Sequence, residues 1–86
     1  MTTVIAHHEV EDRERWLASS KREEFFGGLG ISVRTFLDPE NPSRVAILME
    51  VPDMEALQQA LQTPEAGEAM QHDGVRPETL VVLTET

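Results

Sequence analysis

The segment 31-ISVRTFLDPENPSRVAILMEV-51 decides the fold, because it contains two strand-like runs separated by a turn. In residues 31–37 the apolar positions alternate with Ser32, Arg34 and Phe36, which is the two-residue period of a strand. Residues 38–43 are rich in Asp, Pro and Asn, which favour turns. Residues 44–51 form a second apolar run. This pattern predicts a β-hairpin at the centre of the chain.

A strand and a helix are predicted before this hairpin. Residues 2–10, TTVIAHHEV, alternate in the same way, with Val4, Ala6, His8 and Val10 on one face and His7 on the other. The two adjacent histidines therefore point to opposite faces, which argues against a metal site built from the pair. Asp12 is a suitable N-cap, so we expect one helix over residues 13–26, ended by the glycine pair at 27–28.

A helix pair and a last strand are predicted after the hairpin. Asp53 is placed to cap a helix over residues 54–62, and Thr63 with Pro64 begins a short helix over 64–73. Gly74 ends that helix, and residues 78–85, ETLVVLTE, form the last strand. The order β-α-β-β-α-β predicts an α+β, ferredoxin-like domain over residues 1–86.

This topology leaves one sheet face without a cover. Right-handed crossovers place the helices on one face of a four-stranded antiparallel sheet. The opposite face then bears Ile5, His7, Arg34, Phe36 and Leu48. An apolar face of this kind in a chain of 86 residues predicts a homodimer.

Composition excludes several classes of function. The formal charge is −9, with only seven Lys and Arg residues, so nucleic acid and anionic membrane surfaces are not expected partners. The chain has no cysteine, which excludes thiolate nucleophiles and thiolate metal sites. No signal peptide or bilayer-spanning run is recognised, so we expect a cytoplasmic protein.

The residues HHEVEDRERW, DPENPSRVAILMEV, LQTPEAGEAM and HDGVRPETLVVLTE together resemble the dimeric α/β-barrel superfamily. They are similar to its small, mostly uncharacterised proteins related to antibiotic-biosynthesis monooxygenases. The resemblance covers nearly the whole chain. It implies a homodimer whose sheets pack face to face into a barrel, with a pocket between sheet and helices in each subunit.

The resemblance also bears on the chemistry. The superfamily includes cofactor-free oxygenases, haem-degrading enzymes, isomerases, cyclases and proteins of no known activity. Haem-degrading members use an asparagine, a tryptophan and a histidine where this chain has His8, Val51 and Ala60. All three positions depart from that pattern, so haem degradation is disfavoured and no cofactor is expected.

The candidate site lies on the helix side of the sheet. His8 is the candidate catalytic residue, since an imidazole there suits a general acid or base, and a core histidine bonded to a carbonyl is the alternative. Trp16 is either the main core anchor or a wall for a ligand in the gap left by Ser19 and Ser20. The site is expected to bind a small apolar or aromatic molecule.

Other polar residues have candidate roles elsewhere. His7 and Arg34 are a second ligand-binding pair if the lumen of the dimeric barrel is hydrophilic, and otherwise His7 is an interface residue. His72 lies in the last turn of its predicted helix, where a positive charge stabilises the helix C-terminus, so we expect it to have a capping role. Two functions stay open: a cofactor-independent monooxygenase- or cyclase-like enzyme, and a non-catalytic binding or oligomerisation module with a filled core.

Overall fold

Eight elements make up the chain, and the computed structural model describes all residues from 1 to 86. In chain order they are β1 (Thr2–Val10), α1 (Arg13–Ala18), α2 (Lys21–Gly27), β2 (Ser32–Leu37), β3 (Arg44–Val51), α3 (Met54–Leu61), α4 (Pro64–His72) and β4 (Val75–Thr84). The strands form one antiparallel sheet in the order β2-β3-β1-β4. This confirms the ferredoxin-like α+β fold and the central hairpin.

The core lies between the sheet and the helices. Alternate residues of β1 and β3 are buried, and they pack in one cluster with Trp16, Phe26 and Leu57 from the helices. Cross-strand pairs fix the faces: His8 pairs with Val45 on the helix side, whereas His7 pairs with Ala46 on the other side. The alternation predicted for the first strand is therefore confirmed.

The open face of the sheet is partly apolar. Ile5, Phe36, Val81 and Leu83 lie there with 40–53% of their surface exposed. Only 15 of the 86 residues are buried in one copy of the chain, so the core is small for the surface it must stabilise.

The prediction of one continuous first helix is wrong. The chain leaves the helix at Ser19, whose backbone is extended (φ −74°, ψ 135°), and α2 begins two residues later. The Oγ atom of Ser19 accepts a hydrogen bond from the Lys21 N–H at 3.1 Å. Serine competes with helical backbone bonds in this way, which accounts for the break.

The last strand begins three residues earlier than predicted. Val75 and Arg76 pair with Val10 and Glu9, and the pairing then shifts before it resumes at Val81 with His7. Pro77 lies in the irregular part, and β4 is an edge strand, where a missing N–H is tolerated. The Thr79 hydroxyl accepts from the Glu9 N–H at 2.8 Å and donates to the Arg76 carbonyl at 2.6 Å.

The caps predicted for the helices are present. Asp12 and Asp53 each accept from two backbone N–H groups of the helix that follows, and Thr63 accepts from Ala66. Gly74 leads into β4 with a φ of 72°, and an added Cβ there would lie 2.9 Å from the Arg15 guanidinium. None of the four helices has the length and apolar character needed to cross a bilayer.

Candidate functional site

A cavity of about 110 Å³ lies between the sheet and the helices. Fourteen of its 17 lining residues are hydrophobic, and the three others are His8, Arg22 and Asp73. Part of the apolar wall is itself exposed at Leu61, Leu80 and Val82, so the cavity is open to solvent on that side. An apolar concavity with a few polar groups is the usual form of a small-molecule site.

His8 enters the cavity from β1. The residue is 6% exposed, and its ring meets the Trp16 ring edge-to-face with centroids 6.0 Å apart. The only hydrogen bond of the ring joins Nδ1 to the Glu9 carbonyl oxygen at 3.4 Å. Because a carbonyl can only accept, Nδ1 bears the proton, and Nε2 is left as an acceptor with no partner in the protein.

The surroundings of His8 favour the neutral imidazole. Burial lowers its pKa below the usual value of 6.5, and the charge of Arg22 acts in the same direction. The hydrogen bond with the Glu9 carbonyl and the charge of Asp73 oppose that shift without reversing it. At neutral pH the ring can therefore accept a proton or a hydrogen bond through Nε2.

Trp16, Arg22 and Asp73 form a polar cluster beside His8. The Arg22 guanidinium lies over the Trp16 ring at 4.0 Å, and its Nη1 donates to the Trp16 carbonyl at 3.1 Å. Nη1 is also 3.7 Å from Asp73 Oδ2, and His72 Nδ1 is 3.0 Å from the other oxygen of that carboxylate. Burial lowers the pKa of Arg22, and Asp73 opposes the shift.

The structure divides the residues predicted for the site. His8 and Trp16 line the same cavity, as the alternation of β1 and the stripe of the first helix indicate. Ser20 does not line it: the residue is exposed, and its hydroxyl donates to Glu24 Oε1 at 3.3 Å. The helix break at Ser19 leaves Ser20 exposed and outside the lining of the cavity.

His7 and Arg34 lie on the open face of the sheet, remote from the cavity. Arg34 is exposed, with its guanidinium 5.6 Å from the Phe36 ring centroid. Their predicted role in a barrel lumen requires a second copy of the chain, and it stays a prediction. His72 lies in the last turn of α4, but Arg15 donates to the final carbonyls of that helix, at His72 and Gln71.

Sequence analysis missed Arg22 and Asp73. In a continuous helix Arg22 would stand about one and two-thirds turns beyond Trp16, on a different face. The break at Ser19 resets the phase and lets the guanidinium reach the Trp16 ring. A signal was present in the pair Ser19-Ser20, since two serines in a row weaken a helix. Asp73 lies next to the predicted stop at Gly74 but offers no such signal.

No protein-family model matches the chain, and no curated protein sequence matches it. Solved structures match it over nearly its whole length. A candidate antibiotic biosynthesis monooxygenase from Bordetella bronchiseptica has a TM-score of 0.73 at 19% identity, covering 99% of this chain and 94% of its own. Another structure described as an antibiotic biosynthesis monooxygenase has a TM-score of 0.67 at 17% identity, covering 100% and 97%.

A protein of the ethyl tert-butyl ether d family from Bacillus halodurans also matches, with a TM-score of 0.60 at 16% identity over 100% of this chain and 98% of its own. At these identities the likeness establishes the fold. The chain thus has the ferredoxin-like fold of antibiotic biosynthesis monooxygenase-like proteins, and proteins named for different activities share it.

Proposed function

We propose that the protein is a homodimer that binds a small apolar or aromatic molecule in the cavity between its sheet and helices. The observation that supports this most is the cavity itself, with 14 hydrophobic lining residues and one cluster of polar groups beside Trp16. Engineered apolar cavities of about 150 Å³ bind benzene, so the volume here suits a ligand with a single ring.

His8 is the proposed base of the site. Its Nε2 has no partner in the protein, and burial keeps the ring neutral at neutral pH. A neutral imidazole can take the proton of an acidic O–H or C–H bond, which leaves the electron pair on the substrate as a delocalised anion. In a cofactor-free monooxygenase the anion gives one electron to O₂, the resulting radical and superoxide combine and take up the proton as a hydroperoxide, and loss of water leaves one oxygen atom on the substrate. In a cyclase the anion attacks a carbonyl carbon of the same molecule, the C=O π bond breaks as the new bond forms, and the alkoxide takes the proton back from His8.

A non-catalytic module with a filled core is the alternative, and the cavity beside His8 and Trp16 argues against it. Two observations support the homodimer. The open face of the sheet exposes a group of apolar side chains, and the sequence resembles the dimeric α/β-barrel superfamily. A partner that covers the open face leaves the helix-side cavity accessible, because the two lie on opposite faces of the sheet.

The binding proposal is tested with p-cresol and p-xylene, which have nearly the same shape but differ in one hydroxyl. Both should bind, as measured by saturation-transfer NMR and calorimetry, and p-cresol should bind more tightly because its O–H donates to His8 Nε2. His8→Ala should weaken p-cresol binding about tenfold, because loss of this hydrogen bond costs about one or two kcal/mol of binding free energy. The same variant should still bind p-xylene.

His7→Ala is the matched control, since His7 is adjacent in sequence but lies on the opposite face. It should leave the binding of both compounds unchanged. If neither compound binds the folded wild-type protein, the cavity is not a ligand site. If p-cresol binds His8→Ala as well as wild type, His8 is not the acceptor.

A further inference from the structure

Arg22 lines the cavity with a side chain that is only 9% exposed. Its guanidinium carbon lies 4.0 Å from the centroid of the Trp16 ring, a cation–π contact that restricts the motion of the group. Buried arginines normally have all their N–H groups paired, because an unpaired buried donor loses its hydrogen bonds to water without replacement. An Arg22 nitrogen that has no acceptor within the protein is therefore a candidate donor to a ligand.

Only one of the three nitrogens has protein acceptors. Nη1 donates to the Trp16 carbonyl at 3.1 Å and lies 3.7 Å from Asp73 Oδ2. Nε is fully buried and has no acceptor, and Nη2 makes no hydrogen bond within the protein. Nε–H and one N–H of Nη2 point the same way, and together they form the side edge of the guanidinium fork.

A free side edge is a specific recognition element. Its two parallel N–H groups match the spacing of the two oxygens of a carboxylate, and such bidentate pairs are among the strongest hydrogen bonds in proteins. Lysine offers a point charge in place of this geometry. The edge thus distinguishes a planar oxyanion from a ligand with one acceptor.

The charges near Arg22 are compatible with an anion on this edge. Asp73 contacts the guanidinium through Nη1, which does not belong to the side edge formed by Nε and Nη2. Asp73 is also shared with His72, whose Nδ1 lies 3.0 Å from Oδ1. No other carboxylate lines the cavity, whose remaining walls are apolar apart from His8.

We infer that the ligand of this cavity is an aromatic or comparably compact apolar carboxylate, bound by Nε and Nη2 of Arg22 once the side chains that cover Nε in this structure move aside. This inference rests on the proposed function and narrows its ligand class. The apolar body of the ligand lies among the hydrophobic lining residues, and the carboxylate lies at the polar cluster. His8 Nε2 remains available to a hydroxyl or acidic C–H on the same ring.

Benzoate and benzamide test the inference, because they share a shape and differ in charge and in the number of acceptor oxygens. Benzoate should bind about tenfold more tightly than benzamide, as expected for charge-assisted hydrogen bonds. Arg22→Gln should abolish that preference and leave p-xylene binding intact, and Arg22→Lys should retain part of it. Lys21→Gln is the control: it removes the same charge from the adjacent, exposed position on α2.

Replacement of Arg22 also removes its contact with the Trp16 ring. An NMR signal from the wild-type protein therefore provides a second test. The ¹⁵N-correlated NMR signal of the Arg22 Nε–H should move downfield when benzoate is added and should not do so with p-xylene. Equal affinity for benzoate and benzamide, or an unmoved Nε–H signal, overturns the carboxylate inference. If p-xylene binds and benzoate does not, the cavity proposal stands and the ligand class is wrong; if none of the probes binds, both fail.

Discussion

At the scale of single residues, the proposed chemistry of the site depends on one imidazole that burial keeps neutral. His8 lies on the core face of β1, where neighbouring alternate positions are apolar. Its pKa is lowered chiefly by burial, so the native state binds this proton less readily than the unfolded chain does.

Acidification should therefore cost stability through His8. The stability contributed by the neutral ring is fully present above the unfolded pKa of about 6.5. It is lost as pH falls from there through the lower folded pKa, because the unfolded state takes up the proton first. Urea unfolding of wild type and His8→Gln, measured from about pH 8 to about pH 5, should show a smaller acid loss in the variant.

His7→Gln provides the comparison for that measurement, because it removes a histidine from the opposite face of the same strand. This variant keeps His8, so it should keep the loss of stability on acidification that His8 contributes. Parallel curves for wild type and His8→Gln would show that burial of His8 does not shift its proton affinity.

At the scale of secondary-structure elements, the break between α1 and α2 is decisive for the site, because it brings the Arg22 guanidinium to the Trp16 ring. Ser19 is extended and Ser20 follows it as an exposed N-cap residue with φ −95°. The residue before a proline prefers an extended backbone, and a proline within a helix removes a hydrogen bond and clashes with the preceding turn.

Ser20→Pro should therefore change the free energy of unfolding by less than about 1 kcal/mol. Glu24→Pro should cost about 3 kcal/mol, because the Glu24 N–H donates to the Ser20 carbonyl at 3.0 Å within α2. Thermal and urea unfolding of both variants measures these two changes in the free energy of unfolding. An equally large loss in Ser20→Pro would mean that one helix runs through this position.

The irregular pairing of β1 with β4 depends on one hydroxyl. Thr79 Oγ1 stands between the Glu9 N–H and the Arg76 carbonyl and bonds both. Thr79→Val keeps the shape and leaves both backbone groups without this partner, so it should destabilise the protein by about 1–3 kcal/mol. Thr35→Val, at an exposed position on the other edge strand, should change stability by less than about 0.5 kcal/mol. Equal losses in the free energy of unfolding for the two variants, measured in urea, would contradict this role of Thr79.

At the scale of the whole molecule, the open face of the sheet is the surface through which the proposed dimer forms. Phe36, which is 43% exposed, lies on it, whereas Leu17 is 44% exposed on α1. The wild-type protein should sediment at twice the chain mass at micromolar concentration, and its melting temperature should rise with protein concentration.

Phe36→Arg should shift the mass to that of one chain, because it replaces a large apolar contact with a second positive charge beside Arg34 on that face. Leu17→Arg also replaces a half-exposed apolar side chain with arginine, but it lies away from the open face. It should therefore leave the dimer intact. Sedimentation of wild type as a single chain, or a dimer that survives Phe36→Arg and dissociates with Leu17→Arg, would refute assembly through the open face.

The local patterns of the sequence were sufficient for the order of the strands, the helical segments between them, the two faces of the sheet and the caps at Asp12, Asp53 and Thr63. These features follow from side-chain periodicity and from hydrogen bonds between near neighbours, both of which the chain specifies over a few residues. The alternation of β1 placed His8 on the core side, and the apolar stripe of the first helix placed Trp16 there.

Tertiary structure alone decided the rest of the site. Arg22 meets Trp16 only because Ser19 interrupts the helix, and Asp73 meets Arg22 only when the end of α4 lies beside α2. The offset of β4 at Thr79 likewise depends on pairing with a strand 70 residues away. Contacts between distant segments depend on how whole elements pack, so no periodicity within one segment can specify them.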